Sequence, residues 1–525
     1  MLIKPTAGLS RRSLLKTGAG LGAIAAIGAG GATTFNIRRS LAAELPDPAS
    51  VLAKINVGNY VKKDYRELYK LGDDEELWDP KRDWIRTVDW EQVRKEFAGT
   101  TVKFAIGAAD AESAQDGLKP FLDLSGITVE LVPIPDDSMY DKVVAEFISG
   151  NASFDALQFF SPWLGDFAAP GFLAKLDDYA EKWKLPLDDF YDTYRLNYGY
   201  WGGKGLYGIP FDCDIQQVHV RSKYFKEVTG GDVDPKKTIA TYDDLIRFSG
   251  ELKKTDKGIA GVGFMAARGF WSTYTWEHLA AQYGVDLFND KWEPVFNSDA
   301  GVKAIETILA LQKNGPEGVA GWGWAENRAA WLGGQLASNI SWQDSGTQAT
   351  RPDQSKIVGD VITIYEPRVP GGRFAPPNIA GSTSVVTATS KNAEGAFLML
   401  AFLTSASIMA MNEANANGVA PGYRSVLGNP NLRKVSQPAE VWATELDYAW
   451  CAPRLPGMFE MEQALGNEIN KAIVGQSSPK EALDAGAKAW KEIMDKNGFY
   501  GGKPPIDFAS VADGGWVGKG KTPPV

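Results

Sequence analysis

The chain has 525 residues, 44% hydrophobic and 23% charged, with a formal net charge of −10. That length suits two or three domains with ample core, and the balance is that of an ordinary globular protein. The first 43 residues hold six basic side chains and no acid, so the remainder is more acidic still, which argues against nucleic acid or an anionic membrane as partner.

Ser10-Arg11-Arg12-Ser13-Leu14-Leu15-Lys16 resembles the twin-arginine export motif. An apolar, Gly- and Ala-rich run from Thr17 to Phe35 follows, and then the small residues Ser40-Leu41-Ala42-Ala43 suited to a signal peptidase. A cleaved leader over residues 1–43 is expected; the alternative is an anchor, since the run is long enough to span a bilayer. Arg38 and Arg39 lie between the run and the cleavage site and leave the cut open. Twin-arginine export often carries cofactor enzymes. With only two histidines, two cysteines and no CxxC, HxxxH or GxGxxG motif, the chain offers no haem, iron–sulfur or dinucleotide site, so no cofactor and no metal is expected. Whether Cys213 and Cys451 pair after export stays open.

Residues 44–99 read as a helical extension, with Val51–Leu71 and Val88–Phe97 helical and Trp84 and Trp90 as core anchors. From Thr101 strands and helices alternate. Val102–Ile106 is a strand, Gly107–Gly117 a loop, Leu118–Leu124 a short helix, Ile127–Val132 a strand and Met139–Ser149 an amphipathic helix. Phe154–Phe160 is a strand that opens into Ser161-Pro162-Trp163. Loops at the carboxyl ends of strands form the crevice of a doubly wound sheet, which places Asp110, Ser161 and Trp163 at its edge.

Gly205–Arg221 then starts with turn glycines, carries Pro210 near a strand start and continues as Ile215, Val218, Val220. This stretch resembles the lobe-to-lobe crossover of family 1 extracellular solute-binding proteins, the substrate receptors of carbohydrate ABC transporters. The order of further segments carries the same resemblance: Gly126–Val132, Thr241-Tyr242-Asp243-Asp244-Leu245, Phe296–Val302, Gln335–Trp342, Ala420–Val426, Pro453–Pro456 and Ser478–Leu483. It covers roughly residues 100–498. No single motif is specific; their order and spacing together are.

The resemblance implies an α/β, two-lobed periplasmic-binding-protein fold of type II, each lobe a sheet flanked by helices with hinge strands between. The boundaries expected are 100–211 for the first part of lobe 1, 212–370 for lobe 2, 371–432 for the return to lobe 1, and 433–525 for C-terminal helices, mainly on lobe 2, and a tail. It implies a monomer in the periplasm that hands a carbohydrate or polyol to a membrane permease, without catalysis.

Sugar rings offer apolar C–H faces and hydroxyls, so aromatic planes with carboxylates and amides match them. The residues expected to bind are Trp163, Trp342, Asp212, Trp271, Asp344, Ser161, Asp110, Ser382, Tyr423, Arg424 and Arg454. Trp322 and Trp324 read as loop fixers, Asp214 as a hinge partner and His219 as structural. An exported glycan-active enzyme using two cleft carboxylates is the alternative. Few cationic side chains fall near the cleft, so a neutral ligand leads, and a polyamine stays open because acids with aromatics also suit a cation.

Overall fold

Two sheets, each wrapped by helices, are joined by strands that pass between them. The computed structural model describes residues 35–37, 45–150, 153–369 and 377–506. The twin-arginine motif, the apolar run up to Thr34, the peptidase site and most of the 367–377 linker lie outside them. The described residues form one compact unit.

The first lobe is built on a six-stranded sheet in the order β1-β3-β2-β4-β11-β5. Its strands are β1 (Phe35–Ile37), β2 (Thr101–Gly107), β3 (Thr128–Ile134), β4 (Ala156–Phe160), β5 (Gly208–Asp212) and β11 (Ser382–Val386). β3, β2 and β4 run parallel. Helices Ala111–Ser125 and Asp136–Ser149 carry the chain back between them, as parallel strands require. β11 returns antiparallel between β4 and β5. β1, within the segment expected as leader, lines up antiparallel on β3.

The second lobe holds a four-stranded sheet in the order β7-β8-β6-β9. These strands are β6 (Gln216–Val220), β7 (Ala260–Gly263), β8 (Leu336–Trp342) and β9 (Ile362–Ile364). A short parallel pair, β10 (Asn378–Ile379) with β12 (Trp450–Cys451), ties the later crossings together. Local signals place the helices: Thr241 and Ser478 each close a capping box, with Asp244 and Glu481 as the third residue.

Three expectations shift. Val51–Leu71 is not one helix but three short ones, Pro48–Leu52, Val57–Tyr60 and Lys63–Tyr69. The helix after β2 starts at Ala111 rather than Leu118, because the Ala111–Gln115 run favours helix and Pro120 is accommodated inside it. Trp271 lies in the first turn of the helix Phe270–Gln282 and not in the preceding loop. The backbone bends into that helix at Gly269, where φ is 74°.

Trp84 and Trp90 are buried and bond the carbonyls of Trp183 and Ile85, as core anchors do. The extension reaches both lobes. Lys62 N–H donates to Asn415 Oδ1 (2.9 Å) on the first, while Tyr65 O–H donates to Asp353 Oδ1 (2.6 Å) and Tyr69 O–H lies 2.7 Å from Thr350 Oγ1 on the second. The buried Arg351 guanidinium lies 4.7 Å and 4.5 Å from the Tyr65 and Tyr69 ring centres and donates to Ala414 O (2.8 Å). No single helix among the described residues is long and apolar enough to cross a membrane.

Candidate functional site

The crossover runs from β5 through Cys213-Asp214-Ile215 into β6, so one unbroken stretch serves both sheets. It comes close to β11: a Cβ on Gly381 would lie 1.9 Å from Asp212 O, which only glycine avoids. Asp212 Oδ1 accepts from Ala420 N–H (2.8 Å), while Gln343 donates Nε2–H to Asp214 Oδ1 (2.8 Å) and accepts Ile215 N–H on Oε1 (2.8 Å). From the first lobe, Gln158 Nε2 donates to Asp110 Oδ2 and to Ser382 Oγ, both at 2.7 Å. Asp344, in the first turn after β8, accepts from Ser345 Oγ.

Burial and neighbouring acids raise the two hinge aspartates. Burial pushes Asp212 and Asp214 well above the usual carboxylate range, and like charge adds to it: Asp214 and then Asp110 act on Asp212, Asp344 and then Asp110 on Asp214. Asp344 rises to about 6 through burial, held back by the Arg328 guanidinium. Two strand-end loops of one lobe and the hinge and β8 end of the other thus gather four carboxylates.

Beside them runs a chain of rings. The Trp342 ring lies 4.6 Å from Tyr274, Tyr274 5.7 Å from Phe270, and Phe270 5.0 Å from Trp271. Phe270 also lies 5.3 Å from Phe160 of the first lobe, and Phe160 5.4 Å from Trp163. Rings from both lobes are therefore in contact. Trp163 then meets Tyr140 and Phe459, each at 5.2 Å and edge-on. The Tyr274 hydroxyl feels Asp214 first among the charges around it, which places the rings against the acids.

The structure thus groups Asp110, Asp212, Asp344, Ser382, Trp163, Trp271 and Trp342. Ser161 is buried nearby, its N–H donating to Gly381 O (3.0 Å) and its hydroxyl facing Cys451. Arg454 is buried and donates to Asn197 Oδ1, with its charge on Cys451. Tyr423 is elsewhere, its ring 4.0 Å from Phe190 inside the first lobe. Arg424 pairs with Asp447 (3.2 Å) and covers the Tyr191 ring. His219 is buried and neutral, between Thr363 Oγ1 and Trp342 O at 3.0 Å each, its pKa lowered to about 4 by burial. Cys213 and Cys451 are separate, buried thiols.

Sequence reading overlooks Gln158, Gln343, Arg328, Tyr274, Glu277 and Glu462. Helix Phe270–Gln282 is buried from Ser272 to its end, so its polar residues look inward, and the Tyr274/Glu277 spacing of three was the available signal.

Residues 105–410 match the family described as bacterial extracellular solute-binding protein. A probable amino-acid ABC transporter periplasmic-binding protein of Sinorhizobium fredii is 25% identical over 417 residues, covering 77% of this chain and 92% of that one. The mannitol-binding protein of Pseudomonas aeruginosa is 22% identical over 396 residues, covering 71% and 88%. Among solved structures, an ABC transporter solute-binding protein from Agrobacterium radiobacter in complex with ribitol superposes with a TM-score of 0.67 at 21% identity, covering 75% of this chain and 99% of that one. The maltose-bound protein of T. maritima gives 0.68 at 22%, covering 75% and 100%. These folds are two-lobed binding proteins, and nothing among them favours the glycan-active enzyme. The chain belongs to the bacterial extracellular solute-binding protein family.

Proposed function

We propose that this protein captures a small polyhydroxylated solute, a sugar, oligosaccharide or polyol, between its lobes and delivers it to the permease of an ABC transporter. The observation that carries this is one cluster of acids, amides and rings at the crossover to which both lobes contribute, and which we read as the solute recess: Asp110, Gln158, Ser382 and Phe160 from one, Asp344, Trp342, Tyr274 and Phe270 from the other. A solute touching both halves binds the closed arrangement better than the open one, and that difference drives closure. One named relative is a mannitol-binding protein and the two solved structures hold ribitol and maltose, which supports the ligand class, while the Sinorhizobium fredii protein is described for amino acids.

Within this reading Trp342, Trp271 and Trp163 supply planes for C–H faces, and Asp212, Asp110, Asp344, Ser382 and Ser161 meet hydroxyls. Arg454 orders the joint behind Ser161, and Tyr423 and Arg424 support the first lobe from outside the recess. The protein acts as a monomer in the periplasm, exported through the twin-arginine route.

A thermal-shift screen against sugars, polyols, oligosaccharides and polyamines tests it. A ligand at a hundred times its Kd adds about 2.7 kcal/mol. A strong upward shift with one class and no turnover is the expected result; silence across the panel, or consumption of a glycan, overturns the reading.

A further inference from the structure

Beyond the hinge aspartates, two more acids are buried beside the chain of rings. Glu277 follows Tyr274 by three residues on the helix Phe270–Gln282, and Glu462 lies on the helix Met458–Ile473 packed against it. Each is 1% exposed. Glu277 Oε1 and Glu462 Oε2 have no hydrogen-bond partner among the described residues. Trp163 Nε1 is also unpartnered; its N–H faces Glu462 and favours that carboxylate without closing a bond.

The titratable groups that act on Glu462 are themselves acids. Glu462 feels Glu277 and Asp166, and the Tyr274 hydroxyl feels both Asp214 and Glu277, which links this pair to the hinge acids. The cations that oppose acids nearby act elsewhere: Arg328 bonds Gln348 and acts on Asp344, and Arg454 bonds Asn197 through Nη1 and acts on Cys451, its Nε without a partner among the described residues. Neither acts on Glu277 or Glu462. Burial alone pushes Glu277 up to about 8.

Burial favours the protonated form of both acids in the ligand-free protein, and each still leaves a buried carboxyl oxygen without a partner, which is costly. Sugar hydroxyls offer hydrogen bonds but no counter-charge. An ammonium group offers three N–H donors, is held well against an aromatic face, and brings the positive charge that lets the buried acids ionise, their protons passing to solvent as it binds.

We propose that the recess takes a solute carrying an ammonium group as well as hydroxyls, an amino-polyol or amino sugar, with Glu277 and Glu462 accepting the ammonium beside Trp163 and Tyr274. The proposal rests on the reading of the recess as the solute site.

Calorimetric titration of the exported protein at pH 7.5 with matched pairs, sorbitol against 1-amino-1-deoxysorbitol and glucose against glucosamine, tests it, with mannitol and ribitol alongside. The amine of at least one pair is expected to bind ten-fold or more tighter than its neutral partner. In Glu277→Gln and Glu462→Gln, which keep the side-chain volume, that preference falls below about three-fold. Equal or weaker binding of the amines, or a preference that survives both substitutions, overturns the proposal. Neutral polyols binding while no amine does overturns it and leaves the receptor reading standing. No heat with any probe counts against both.

Discussion

At the residue scale, the rings of the recess carry more than one duty. Trp342 and Trp163 are 4% and 5% exposed, so each is packed as well as available to a ligand. Trp342→Ala and Trp163→Ala are therefore expected to lower unfolding stability by about 3–5 kcal/mol in denaturant titrations. Trp342→Phe keeps most of the apolar volume and is expected to lose less than about 1.5 kcal/mol while weakening solute binding about ten-fold. The buried acids set the pH response. Asp166 and Glu277 release their protons near 4 when the chain is unfolded but only at about 7 and about 8 when folded, because burial disfavours their charge. Between those values the folded chain holds more protons, so its stability falls as pH rises from 5 to 8. His219, lowered to about 4, works in the other direction below its unfolded value of about 6.5. The melting temperature of the ligand-free protein is expected to be several degrees higher at pH 5 than at pH 8, and Glu277→Gln to reduce that difference. A flat or rising profile overturns this.

At the scale of elements, helix Met458–Ile473 starts on one lobe and packs along the other. Asp166 of the first lobe receives the Gly457 and Phe459 N–H groups at its start, and Tyr140 stacks on Phe459 at 3.7 Å. Asp166→Ala strips those donors of their acceptor and is expected to cost about 1–3 kcal/mol, read by chemical denaturation. Much of this layer was legible in the sequence. Thr241 and Ser478 announce their helices through capping boxes, and the alternating strands around Gly205–Arg221 announce the crossing between sheets. The site was legible where it sits at strand ends, as with Asp110, Trp342 and Asp344. It was hidden where it sits on helices. Glutamate is an ordinary helix former, so Glu277 and Glu462 read as solvated positions until the packing of both helices buries them. Tyr423 and Arg424, next to a Pro-Gly turn, read as rim residues, yet the antiparallel bridge between Phe190 and Tyr423 turns them into the first lobe.

At the scale of the whole molecule, closure is governed by what crosses between the lobes. Besides the hinge strands, the extension does so through Tyr65, Tyr69 and the Arg351 they enclose. The double substitution Tyr65→Phe with Tyr69→Phe removes the hydroxyl bonds of Tyr65 to Asp353 and Gln354 and of Tyr69 to Thr350, at about 1 kcal/mol each, and leaves the rings over Arg351. It is expected to lower the melting temperature slightly and to increase the radius of gyration of the ligand-free protein in small-angle scattering. An unchanged radius shows that the extension does not bias the hinge.

The contact between Phe160 and Phe270 has an optical consequence. It is the link at which rings of one lobe meet rings of the other, with Trp163 on one side and Trp271 on the other. When the halves part, both indoles gain water and their emission shifts to longer wavelength; when a solute closes the hinge, it shifts back. The protein carries its own reporter of occupancy, and the rate of closure is readable by stopped-flow mixing without any attached dye.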